Sequence, residues 1–276
     1  MRICLSYILI AIFGFTACSA WGQGKEAQPL PNVLVIGDKI YHQHARGVAK
    51  ALRGKADVTL RTELRVVEDG ESHEPVVNSR TALAHLDRLL GRVDRNGEPV
   101  AEDKWPVWDL IHVNVGLGDL VYRAPDMDAF RLLPIHAGGV VATGPKQYER
   151  NLVELVKRLK QKVPGARLVW AHTTPIRASR SNVFKPGSEI EYNRIAERVM
   201  NRHRVPINDM HAYAKSIMDM DRPAPHGWDP FHFDKKPIHM PIVRVIEQAF
   251  GLKPMPETEE EKAVKKAQKR PAPAQG

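Results

Sequence analysis

Cysteine is nearly absent from this chain of 276 residues: there are two, Cys4 and Cys18, and both fall in the first twenty positions. The remainder of the chain has no disulfide to staple it and no thiolate for nucleophilic chemistry. A packed core must hold it together, and a chain of this length can bury a large one. Net acidity is also missing. Lysine and arginine number 41 against 32 acidic residues, a formal charge of +9 that becomes +8 once Arg2 is set aside. These basic residues are scattered rather than gathered with aromatics into a stripe, so a nucleic-acid partner is not expected. The simplest reading is a basic protein among anionic polymers or lipids.

Long apolar runs are scarce too. The one that stands out, "ICLSYILIAIFGFTA", is about fifteen residues long, short of the roughly twenty a membrane span needs. With Arg2 before it and Cys18-Ser19-Ala20 after it, residues 1–20 read as an export signal. Either it is cleaved after Ala20, or "FTAC" is a lipoprotein signal with Phe15 in the usual leucine position and Cys18 carrying the lipid. Both readings place the protein outside the cytoplasm, as a periplasmic, secreted or lipid-anchored species. Membrane contact is expected only through lipidation of Cys18. At the other end, residues 253–276 are charged, bounded by proline and alanine and poor in large apolar side chains, and read as a flexible or partly helical tail. One folded domain, residues 31–252, remains, without internal repeats.

Within it, apolar runs alternate with helical patterns. "NVLVIGD", "ADVTLRTEL", "WDLIHVNVG", "ARLVWAHTTPI" and "VPINDM" read as strands. Between them lie "ARGVAKALRG", "TALAHLDRLLG" with Leu83, Leu86 and Leu90 on one face, "YERNLVELVKRLKQ" with Leu152, Leu155, Val156 and Leu159 on a stripe, and "EIEYNRIAERVMNRH" with Ile195, Ala196, Val199 and Met200 inward. "MPIVRVIEQAFG" closes the domain as a helix. Strands separated by helices imply crossover connections and a parallel sheet covered on both faces. Ligands in such folds sit at the carboxyl ends of the strands. The informative segments are therefore Gly37-Asp38-Lys39, Asn78-Ser79, Asn114 to Asp119, Thr173-Thr174-Pro175, and the late "DPFHF" with Asp229 and His232.

That order of segments, with "NVLVIGD", "IHVNVGLGDL", "VWAHTTPI", "INDM" and "DPFHF", resembles the SGNH (GDSL-type) hydrolases over roughly residues 32–250, close to the exported bacterial branch that acts on carbohydrate esters. The resemblance implies a three-layer α/β/α sandwich around a five-stranded parallel sheet in flavodoxin-like order. It also implies a serine nucleophile after Gly-Asp, backbone and asparagine donors for the oxyanion, and an Asp-x-x-His pair. Asp229 and His232 match that pair, and Gly37 and Asp38 match the elbow. Thr173, Thr174 and Pro175 match a scaffold stretch. Lys39, however, stands at the nucleophile position. Gly118 stands where the oxyanion asparagine belongs, since G-x-N-D is written Gly116-Leu117-Gly118-Asp119. The second-block glycine has Val77 or Asn78 in its neighbourhood.

A serine alkoxide makes an ester that water can later cleave; a lysine amine would make an amide and stop after one acylation. Losing an oxyanion donor typically costs about 2.7–4 kcal/mol of transition-state stabilisation. Together these changes predict a weak or inactive hydrolase that keeps a cleft for a small-molecule or polysaccharide ester, with no cofactor. Three alternatives stay open: hydrolysis by water activated on His232 with Lys39 as cationic oxyanion partner, a metal-bound hydroxide held by carboxylates and imidazoles, and a pure polysaccharide-binding role. His42 and His44, two apart on a helix, diverge by about 200° and are expected to face solvent, as is His239 before the last helix. Arg123, Arg131 and His136, in the insertion 121–144, are expected to be ordinary loop residues.

Overall fold

The computed structural model describes residues 29–38, 41–68, 71–73, 77–125, 131–178, 182–221 and 236–268. In chain order the elements are β1 (Asn32–Ile36), α1 (Tyr41–Ala51), β2 (Asp57–Arg61), a short antiparallel pair β3 (Val66–Glu68) and β4 (Glu71–His73), α2 (Ser79–Ala84), α3 (Leu86–Leu89), β5 (Leu110–Val113), and α4 (Leu117–Leu120). A second antiparallel pair comes next, β6 (Tyr122–Arg123) with β7 (Val140–Val141), and then α5 (Pro145–Lys162), β8 (Arg167–Ala171), α6 (Ser188–Arg202), β9 (Ile207–Asn208), α7 (Met210–Ile217), α8 (Met240–Phe250) and α9 (Glu259–Gln268).

Five strands form the main sheet in the order β2-β1-β5-β8-β9, every neighbouring pair parallel. Counted within the sheet this is the flavodoxin-like order 2-1-3-4-5, as the sequence predicts. Right-handed crossovers then dictate the layers. The step from β1 to β2 runs one way and puts α1 on one face. The later steps run the other way and put α2, α5 and α6 on the opposite face. The packing agrees: α1 lies against α8, whereas α5 touches both α2 and α6.

Central strands buried on both faces should be continuously apolar. Val33, Leu34 and Val35 of β1 and Leu110 and Ile111 of β5 are fully buried. The polar member of β5, His112, is fully buried as well, its Nε2 3.1 Å from Asn208 Nδ2, and burial pushes its pKa down to about 3. It is a neutral core histidine. On α5, Pro145 starts the helix where its missing N–H is harmless, and Tyr148, Asn151, Leu152, Leu155, Val156 and Leu159 form the buried face. Gly251 ends α8 at φ +60°, a left-handed cap suited to glycine.

Three expectations need correction. "TALAHLDRLLG" is two short helices, because the backbone leaves helical angles at His85 (φ −114°, ψ 28°); Leu86, Leu89 and Leu90 still reach the core. His44 does not face solvent: it shares the inward stripe of α1 with Ala45 and Val48 and is buried, which lowers its pKa to about 4 with help from the nearby His239. His239 is half-buried, its ring packed so closely on Gly47 that a Cβ there would clash. Apart from these corrections, the residues after Leu252 include α9, whose Glu261 receives bonds of 2.9 and 3.0 Å from Arg244. Among the described residues no helix is long and apolar enough to cross a membrane.

Candidate active site

The carboxyl ends of β1 and β5 lie side by side, so the turns after them converge. After β1 come Gly37, whose N–H donates to the Arg61 carbonyl at 3.3 Å, and the buried Asp38. Lys39, Asp229 and His232, the expected reactive group, lie outside the described residues, as does the export segment. What the structure places is the frame on which they would stand.

That frame centres on Asp119. It is fully buried one turn into α4, and its carboxylate accepts from the Ser79 N–H (2.9 Å, Oδ2) and the Ser79 hydroxyl (2.6 Å, Oδ1). Ser79 Oγ in turn accepts from Asn151 Nδ2 at 2.7 Å, and Asn151 Oδ1 accepts from Gln147 Nε2 at 2.6 Å. Three segments remote in sequence, the start of α2, the turn after β5 and the first turns of α5, are thus tied through one carboxylate. Burial raises the Asp119 pKa to about 6; the Ser79 bonds and one from the Thr143 hydroxyl pull it back. A buried carboxylate with this many donors is a structural anchor.

Asn78 is occupied by the same junction. Its Oδ1 accepts from the N–H groups of Arg80 (3.0 Å) and Thr81 (2.9 Å), while Thr81 Oγ1 accepts from the Asn78 N–H, a reciprocal capping box at the start of α2. Gly116 must be glycine for a local reason: a Cβ would overlap Thr173 Oγ1. Gly118 is buried within α4. Asn114 spends its amide on the carbonyls of Ala171 and His172, each 3.1 Å away. Thr173 exchanges two bonds with Asn193, its N–H donating at 2.8 Å and its carbonyl accepting at 2.9 Å, which fits the scaffold part expected of that stretch.

Asp38, Asn78, Gly116, Gly118 and Asp119 therefore occupy one end of the sheet, with Asn78 and Asp119 linked through Ser79. The parts played by Ser79, Thr143 and Asn151 are not foreseeable from the motifs. For Asn151 a signal exists, because it lies on the same helical face as Tyr148, Leu152 and Leu155. An imidazole–carboxylate pair that the motifs do not single out also lies at this end: His172, directly after β8, has its Nδ1 3.1 Å from Asp209 Oδ1. Asp209 succeeds β9 and caps α7 by accepting from Ala212 N–H at 2.9 Å. The bond from His172 is the main cause holding Asp209 below the usual carboxylate range. In the insertion, Arg131 is exposed and His136 Nδ1 lies 2.9 Å from Asn182 Nδ2. Among the described residues no three His, Cys, Asp or Glu side chains are grouped as metal ligands.

The sheet order and the helices on both faces define a three-layer α/β/α fold. A solved structure bears this out: the lipase/acylhydrolase from Enterococcus faecalis matches 83% of this chain and 100% of its own length at 13% identity, with a TM-score of 0.51. A GDSL-like lipase from Bacteroides thetaiotaomicron matches 81% and 92% at 14% identity, TM-score 0.49. An acetylxylan esterase from Geobacillus stearothermophilus matches 81% and 95% at 15% identity, TM-score 0.48. No family profile and no curated protein sequence matches the chain.

Proposed function

We propose that this protein is an exported SGNH-type relative whose cleft, at the carboxyl ends of β1 and β5, binds ester-bearing polysaccharide while hydrolysing esters weakly or not at all. The observation that carries the proposal is Lys39. In the sequence the strand-end pair Gly37-Asp38 is followed by Lys39, which by the resemblance takes the position of the family's nucleophilic serine. Gly118 adds to the case, since it has no amide side chain to stabilise an oxyanion. The frame of Asp119, Ser79 and Asn151 supports retention of a shaped cleft, because these buried polar groups are bonded to one another.

A chromogenic acetyl-ester assay on the wild type, His232→Ala and Lys39→Ser tests this. The expected result is near-background turnover by the wild type and a measurable gain in Lys39→Ser. Robust wild-type turnover that disappears in His232→Ala would overturn the proposal in favour of water activated by the imidazole. Turnover that disappears with a chelator would replace it with a metal-bound hydroxide. Binding of acetylated polysaccharide, measured by affinity electrophoresis, is expected of both the wild type and Lys39→Ser.

A further inference from the structure

On the β2 side of the sheet, away from the β5 turn, lies a cavity of about 520 Å³ between the end of β2, the last turn of α3 and the hairpin 93–100. Four arginines line it: Arg61, Arg65, Arg88 and Arg95. Arg88 has a fixed place, its Nη1 donating to the carbonyls of Arg65 (2.5 Å) and Arg95 (3.1 Å). Those two bonds hold the backbones of Arg65 and Arg95 at the mouth, where both residues are exposed.

Arg61 is the anomaly. Its side chain is half-buried, its Nε is buried without a hydrogen-bond partner, and its guanidinium makes no ion pair among the described residues. Its nearest charge effect is repulsive: burial, and then the charge of Arg95, push its pKa below the ordinary guanidinium range. Two carboxylates share the lining, Glu63 and Asp94. Asp94 is already engaged, since its Oδ1 accepts from the N–H groups of Asn96 (2.8 Å) and Glu98 (2.9 Å) to close the hairpin turn. A partly buried cation beside other cations and without a counterion is costly. An anion supplied from solution removes that cost.

We propose that this cavity is a binding site for the phosphate or sulfate group of a small ester, separate from the cleft described above. Guanidinium forks match the oxygens of a tetrahedral oxyanion in pairs. The volume leaves room for more than a bare ion, and Leu60, Val93 and Val100 give the rest of the lining an apolar surface for a ring-sized body.

The test is calorimetric titration of the full chain at constant ionic strength with inorganic phosphate, inorganic sulfate, a hexose 6-phosphate, a hexose 6-sulfate and the neutral hexose. Expected are saturable binding of at least one hexose ester, weaker binding of the bare ion and none of the neutral sugar. The phosphate and sulfate arms identify which oxyanion the cavity prefers. Arg61→Met, which keeps the apolar stem, should weaken binding about tenfold or more, yet in anion-free buffer should melt no lower than the wild type. Arg95→Gln, at an exposed position, should weaken binding less. Arg204→Gln, at the opposite end of the strands, should leave it unchanged. No saturable binding, or equal losses in Arg61→Met and Arg204→Gln, would overturn the proposal. So would an Arg61→Met protein that melts lower in anion-free buffer, because Arg61 would then be a structural residue.

Discussion

Asp119→Asn is the perturbation that probes the site frame most directly, through the pH dependence of folding. In the folded protein the Asp119 carboxyl keeps its proton to about pH 6, against a reference value of 3.8 for the unfolded chain. Between those values the folded state binds a proton that the unfolded state has released. Stability therefore declines as pH rises through that window and is flat above it. A gap of a little over two pH units corresponds to about 3 kcal/mol. Asparagine is close in shape to the neutral acid and cannot ionise, so this slope vanishes in the variant. Urea unfolding of both proteins at half-unit steps from pH 4 to pH 7.5 gives the difference in stability at each pH, and every other titrating group cancels. The difference should move toward the variant by about 3 kcal/mol across the window, whatever its starting value. A difference independent of pH would refute the claim that burial, not the Ser79 bonds, dominates Asp119.

Other expectations rest on the same contacts. His112 has its folded pKa lowered to about 3 from 6.5, so the unfolded chain takes up protons first on acidification; His112→Gln should abolish the loss of stability this causes below pH 6.5, as read from melting temperatures. Gly116→Ala should cost about 1–3 kcal/mol or more by overpacking against Thr173 Oγ1, and Thr173→Ala in the same protein should recover part of it in urea unfolding. Asn78→Ala removes the α2 cap and should cost about 0.5–2 kcal/mol in the same assay, without the pH dependence seen for Asp119.

The sheet is legible in the sequence because its signals are local: each strand is a short apolar run, and each intervening helix shows its stripe. The fate of polar residues on buried faces is not. His44 sits on the stripe of α1 as surely as Val48 does, and Asn151 sits on that of α5 beside Leu152. Spacing alone would turn both inward, but residue type argues for solvent, and for Asn151 the partner that makes burial tolerable lies far away in sequence. Asn151 is satisfied by Ser79, seventy-two positions distant. The part of Asp119 is hidden for the same reason: its partner Ser79 precedes it by forty residues, and nothing in either segment alone announces the bond. The break at His85 is equally hidden, since the leucines on either side keep their phase across it.

The anchoring of α9 has a practical consequence. Arg244 reaches beyond α8 to the carbonyls of Met255 (2.9 Å) and Pro256 (3.2 Å) as well as to Glu261, and it also holds the buried Glu247 at 2.8 Å. Glu247 in turn accepts from the Met255 N–H at 2.7 Å. A protein trimmed back to Leu252 would lose every one of these partners except the Arg244–Glu247 pair, and would expose that pair together with the face of α8 beneath it. Anyone shortening this chain for crystallisation should keep α9.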